Sequence, residues 1–238
     1  MAFVASYNSR LFVGAAQWAT YARGFNYSDT TDMLDITTLA DTSKQMIPGQ
    51  RTGTVSLDLL LDTAAAAGGQ FATLNTWKGT PQVLSLAPSG TARSAETWLL
   101  QANQSNASVT SAVADVVTAS VSIQCDGSVD AGVVLDPTTA ITTTTSSTSV
   151  DNTAGTTNGG VAHLHVTAYS GLTSNTITIE HSTNNSTWST LGTFTAVTGT
   201  TAERLVIAAG TTVNRYLRVT DTIVGVGSCT RFVSFARR

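Results

Sequence analysis

Residues 54–61 read Thr54-Val55-Ser56-Leu57-Asp58-Leu59-Leu60-Leu61, bounded by the Pro48-Gly49 turn on one side and Asp62 on the other. Val55, Leu57, Leu59 and Leu61 occupy alternate positions, and Thr54, Ser56 and Asp58 fall between them. A period of two places one set of side chains on a core and the other in water, which is the signature of a half-buried strand. The same period recurs over residues 109–125, where Val113, Val117, Val121, Ile123 and Cys125 share one parity. That run predicts two strands, or one long strand bent near Asp115. Shorter strands fit residues 3–7, 11–15, 82–87 and 97–101.

Composition agrees with this reading. The 238 residues include 43 threonines, and charged residues make up 11% of the chain, against about 25% in an average soluble domain. Thr and Val branch at Cβ and suit a pleated surface better than a helix. A coiled coil, a helical bundle and a basic nucleic-acid-binding domain are disfavoured. At 42% apolar residues the chain also carries too much hydrophobic material for a disordered one. The expected fold is therefore mainly β: a β-sandwich or barrel with one packed helix, followed by a second, antiparallel β-sandwich.

The helix is expected to start from a cap at Asp62 or Thr63. Ala67, Phe71 and Leu74 follow at i, i+4, i+7 spacing, and Trp77 is the anchor. Gly68 and Gly69 weaken it by about 1 kcal/mol each, so packing on a sheet must hold it.

Residues 138–160, TTAITTTTSSTSVDNTAGTTNGG, contain Ile141 and Val150 as their large apolar residues and follow Asp136-Pro137. They read as a linker with a candidate edge strand between a domain at 1–137 and another at 161–238. The first has six Lys/Arg against eleven Asp/Glu, a net of −5; residues 138–238 have six Arg against four acids, a net of +2. From residue 161 onward, short strands alternate with Gly-, Ser- and Asn-rich turns: VAHLHVTAY, NTITIEH, LGTFTAV, AERLVIAA, VNRYLRVTD and TRFVSFA.

Chemistry-bearing residues are sparse. His163 and His165 fall on the strand face opposite Leu164 and Val166 and are expected to be exposed; no third ligand completes a zinc site. Asp29, Asp32, Asp35 and Asp41 lack the spacing of a calcium loop. Cys125 and Cys229 read as two thiols rather than a disulfide. No nucleophile elbow, zinc-protease helix, P-loop or dinucleotide fingerprint appears. Neither an enzyme, a metal nor a cofactor is expected. His181, Asn184, Asn185 and Trp188 form a candidate glycan contact, set against packing of Trp188 at the sandwich edge. The N-terminal stretch lacks the basic-then-apolar pattern of a secretory leader, and no apolar run is long enough for a membrane span. A soluble protein made in a cytoplasm is expected.

Residues 27–54 read as a long loop with scattered apolar side chains, of the kind that orders against a partner. The order LDITTLAD (34–41), IPGQRTGTVSLDLLLD (47–62), a helix ending at Trp77, and a closing VTASVSIQCDGSVDAG (117–132) resembles the major tail protein, or tail tube protein, of long-tailed bacteriophages. The resemblance covers about residues 1–135. It implies a structural subunit of stacked rings, commonly hexameric, around a lumen that conducts DNA during ejection without specific binding. It also implies assembly with tape-measure, tail-tip and terminator proteins in the host cytoplasm, and a final place in the virion tail. Asp35, Thr37, Thr38, Ile47, Pro48 and Gly49 would belong to the ring-stacking loop, and the C-terminal domain would project outward. The acidic balance fits a lumen that repels phosphate. The alternatives are a carbohydrate-binding surface module and a capsid or baseplate decoration protein.

Overall fold

The computed structural model describes residues 8–18, 21–61, 74–113, 115–127 and 129–238. Its elements are β1 (Arg10–Val13), β2 (Ala16–Gln17), β3 (Ala22–Asp35), β4 (Met46–Leu60), β5 (Gln82–Ala87), β6 (Glu96–Thr110) and β7 (Thr118–Cys125). They continue with β8 (Asp130–Ile141), β9 (Thr145–Ser146), β10 (Val150–Asp151), β11 (Gly160–Ser182), β12 (Ser189–Thr193), β13 (Thr201–Ile207) and β14 (Tyr216–Arg237). The fold is mainly β, and every ladder assigned among the described residues is antiparallel. Of the expected helix, residues 74–76 form a helical turn, while Ala67 and Phe71 lie outside the described residues.

The chain forms two compact units, one of residues 1–20, 82–100 and 130–238, the other of residues 21–81 and 101–129. This partition does not follow the expected boundary. Pro137 lies inside β8, and the stretch expected as a linker carries the end of β8, then β9 and β10, both paired to β14. Ile141 and Val150 are buried, so these few apolar residues anchor the stretch to the larger unit.

In that larger unit the strands run β11-β14-β8-β6-β5-β1-β2, with β12 and β13 on the free side of β11. The sequence reading divided β11 and β14 into shorter strands at residues 170–174 and 222–229; both run through. A straight 23-residue strand would reach roughly 75 Å. Yet Leu164 and Ile179 of β11, and Leu217 and Phe235 of β14, line one apolar core, so the pair bends over on itself. The bend lies where the register slips, between Val166 and Ala168 and on either side of Leu172. Gly171 and Gly225 there have φ of 75° and 97°, and a Cβ on Gly227 would lie 2.0 Å from the Ser170 carbonyl oxygen. These glycines bulge a continuous ladder instead of ending it.

The smaller unit is a four-stranded sheet in the order β3-β4-β7-β6. Its β4 alternates as expected: Val55, Leu57 and Leu59 are buried, and Thr54, Ser56 and Asp58 are exposed. Val121 and Ile123 of β7 are buried on the same face, opposite Leu57 and Val55; Trp77 is also buried, and its indole N–H donates to the Ala102 carbonyl at 3.2 Å. Residues 27–54, expected to be a structureless loop, are instead largely a β-hairpin, paired from Ala22↔Leu59 to Asp35↔Met46. Past the four-stranded region both faces of this hairpin are exposed. No apolar period marks it, and the threonines at 30, 31, 52 and 54 are its residual strand signal.

Candidate assembly surfaces and polar cores

The hairpin gathers the residues expected to stack rings. Asp35 closes β3 opposite Met46, Ile47 faces Leu34, and Pro48 faces Met33 beside a register slip that suits a residue without an N–H. Gly49 follows in β4, and Thr37 and Thr38 lie in the connection. This connection is ordered by its own side chains. Asp35 accepts from the Thr37 N–H at 2.9 Å, and Asp41 accepts from the N–H and hydroxyl of Thr38 at 2.7 and 2.9 Å. Hydrogen bonding by the Thr37 side chain and N–H lowers the pKa of Asp35, and bonding by the Thr38 N–H and side chain lowers that of Asp41. Around this frame Met33, Leu34, Ile36, Leu39, Met46 and Ile47 are all more than 40% exposed. Covering each would contribute roughly 1 kcal/mol or more.

The outward face of the four-stranded sheet is polar. One cross-strand row reads Asn26, Ser56, Ser122, Asn106; the next reads Gly24, Asp58, Ser120, Ser108. Two hollows lie on this face, of about 350 and 230 Å³. The first is lined by Arg23 of β3 and Thr110 of β6, and the second by Asn26 and Ser28 of β3 and Ser105 of β6. Strands three spacings apart, roughly 14 Å, line a common hollow when a sheet curls toward that side. The polar face is therefore concave. Among the described residues β3 pairs with β4 alone, and residues 106–110 of β6 pair with β7 alone. Counting the described residues alone, the sheet thus ends in an unpaired edge on each side.

The larger unit contains two polar clusters in its interior. His163 and His165 are fully buried, contrary to the expected exposed face, because β5 and β1 cover that side of β11. The Ser85 hydroxyl lies 3.1 Å from His163 Nδ1 and 2.8 Å from His165 Nε2. His165 Nδ1 lies 2.7 Å from the Gly14 carbonyl oxygen, and Arg204 Nη1 lies 3.0 Å from His163 Nε2. A carbonyl only accepts and a guanidinium only donates, which fixes every proton. Arg204 donates to His163, His163 to Ser85, Ser85 to His165, and His165 to Gly14. Both imidazoles are neutral in this chain. Burial pushes His165 down to about 4 and His163 well below its ordinary value, the latter reinforced by His165 and Arg204. Asp130 accepts from Arg204 at 2.9 Å and from Arg238 at 2.9 and 3.0 Å.

In the second cluster Arg231, 1% exposed at its side chain, bonds Asp136 at 2.7 Å and Asp221 through both Nε and Nη2. Asn175 donates to Asp221 at 2.8 Å, and Arg93 to Asp136 at 2.6 Å. Sequence reading missed this cluster. Its available signal was a charged residue, Arg231, directly before the run Phe232-Val233-Ser234-Phe235.

The candidate glycan residues lie at the end of β11 and on the following turn, and three of their polar atoms are engaged by the chain itself. Asn184 Oδ1 accepts from the backbone of Ser186 and Thr187, and Asn185 Oδ1 from the Ser149 hydroxyl. His181 Nδ1 accepts from the Asn214 N–H at 3.3 Å. The Arg218 guanidinium lies 4.2 Å above the centre of the Trp188 ring, a cation–π contact. Cys125 and Cys229 are both free thiols.

No family model and no curated protein matches the sequence. Among solved structures the chain is similar to one from the tail of an empty gene transfer agent particle with C6 symmetry. Identity is 11% and the TM-score 0.39, over 46% of this chain and 80% of that one. It is similar to the SPP1 tail tube chain at 11% identity and a TM-score of 0.41, over 52% and 77% of the two chains. It is also similar to SPP1 Dit, a hub adsorption apparatus protein of phages that infect Gram-positive bacteria. There identity is 10% and the TM-score 0.37, over 96% and 99%.

Proposed function

We propose that this chain is a structural subunit of a phage tail tube, assembling with copies of itself into stacked rings through which DNA passes. The observation that carries the reading is the four-stranded sheet: concave on its polar face, apolar on its covered face, and, among the described residues, unpaired at both edges. Copies joined edge to edge continue the curl and close a ring with the polar side inward. Six copies would align 24 strands about 4.8 Å apart, a backbone ring roughly 37 Å across. That is wider than a DNA duplex. Three copies would give roughly 18 Å, which side chains would largely fill. Ring size therefore favours six copies over three, in keeping with the sequence resemblance.

Stacking is assigned to the hairpin tip, with Asp35, Thr37, Thr38, Ile47, Pro48 and Gly49 at the contact and the exposed apolar residues beside them. A ring-to-ring contact of this kind joins unlike surfaces and does not close, so it extends into a tube. Negative-stain electron microscopy of the purified protein over a concentration series, with and without purified tail tips, tests the reading. Rings or hollow tubes are expected; monodisperse particles under both conditions would refute it.

A further inference from the structure

Resting on the tube reading, we infer that the wall facing DNA is the concave face carrying Asn26, Ser56, Ser122 and Asn106. We infer further that this wall is close to electrically neutral and not acidic. The net charge of −5 over residues 1–137 points to a carboxylate-lined lumen, but the structure engages five of those acids elsewhere. Asp29 pairs with Arg51, and Asp35 and Asp41 bond the hairpin connection. Asp130 and Asp136 are buried against arginines of the larger unit. On the outward face of the four paired strands, the one carboxylate among the described residues is Asp58, which accepts from the Ser120 hydroxyl at 3.2 Å. Arg23 lines the same hollow as Asp58, so the two opposite charges offset.

The remaining groups are hydroxyls and amides. They keep a bound water layer and provide no row of cations to neutralise phosphates and release counterions, which is the main source of non-specific DNA affinity. On this wall DNA slides because nothing holds it, without needing repulsion.

The test places a thiol on the face by Ser122→Cys, and separately by Ser56→Cys on the neighbouring strand, each in a Cys125→Ser background. Assembled tubes are treated with a small maleimide and with one carrying a polymer too wide for the lumen. The introduced thiol should react with the first and be protected from the second, while the dissociated subunit reacts with both. Equal reaction with the wide reagent in tubes would overturn the assignment of the face while leaving the tube reading intact. Neutrality is read from a cationic and an anionic methanethiosulfonate at about 10 mM salt, where the Debye length is roughly 30 Å. Their rate ratio should lie within about threefold of that for a free small thiol; a larger preference for the cation would restore the acidic wall. If the parent chain forms neither rings nor tubes, the tube reading fails and this inference fails with it.

Discussion

Acid should loosen the larger unit through its two buried histidines, and the geometry sets both the sign and the size. The chain from Arg204 to Gly14 works only with both imidazoles neutral. A proton on His163 Nε2 would point at the Arg204 guanidinium, and one on His165 Nε2 would leave the Ser85 hydroxyl proton without its acceptor. In the folded state His165 titrates at about 4, against 6.5 when free. Between those values the unfolded chain binds more protons, so stability falls as pH drops from about 6.5 to about 4 and then levels off. The loss from His165 alone is about 3 kcal/mol, and His163, depressed further by burial, acts in the same direction. Urea unfolding of the unassembled subunit from pH 7.5 to 4.5, compared with His165→Gln, isolates this contribution from the carboxylates. The carbon-bound imidazole protons give the folded pKa values directly. A His165 resonance titrating near 6.5, or a pH dependence unchanged by His165→Gln, would refute the argument.

Replacing Arg231 with Met should cost about 3–5 kcal/mol in urea unfolding, since Asp136 and Asp221 would stay buried without their shared partner. Adding Asp221→Asn should recover part of that loss. The pair Ile47→Asp and Pro48→Asp should leave a folded subunit by circular dichroism that forms no tubes at concentrations where the parent does. Gly227→Ala drives a Cβ to 2.0 Å from the Ser170 carbonyl oxygen and should lower the melting temperature, by more than about 1 kcal/mol of stability. An unchanged melting temperature would mean that the bulge relaxes freely.

What was legible in the sequence follows from where burial is one-sided. Val55, Leu57 and Leu59 alternate because one face of β4 is buried and the other meets water, so period and structure agree. Where both faces are exposed, as in the hairpin, no period forms; where both are covered, as around His163 and His165, the alternation of polar and apolar residues suggests a solvent face that the fold buries. The glycines of β11 and β14 misled for a related reason. A bulge and a turn call on the same residue, and only the pairing partner tells them apart. The boundary at Pro137 failed because polar composition looks the same in a linker and in short strands pinned by Ile141 and Val150.

Charge shows the same limit at the level of function. A sum over residues 1–137 counts Asp136 and Asp58 alike, although Arg93 and Arg231 hold the first in the interior and the second faces a wide hollow. The field a passing polyanion meets depends on which carboxylates stand on the surface with no cation beside them. On the concave sheet that selection leaves hydroxyls, amides and one offset acid. Strand parity, which decides whether a side chain meets core or water, therefore says more about the charge this surface presents than the net charge does.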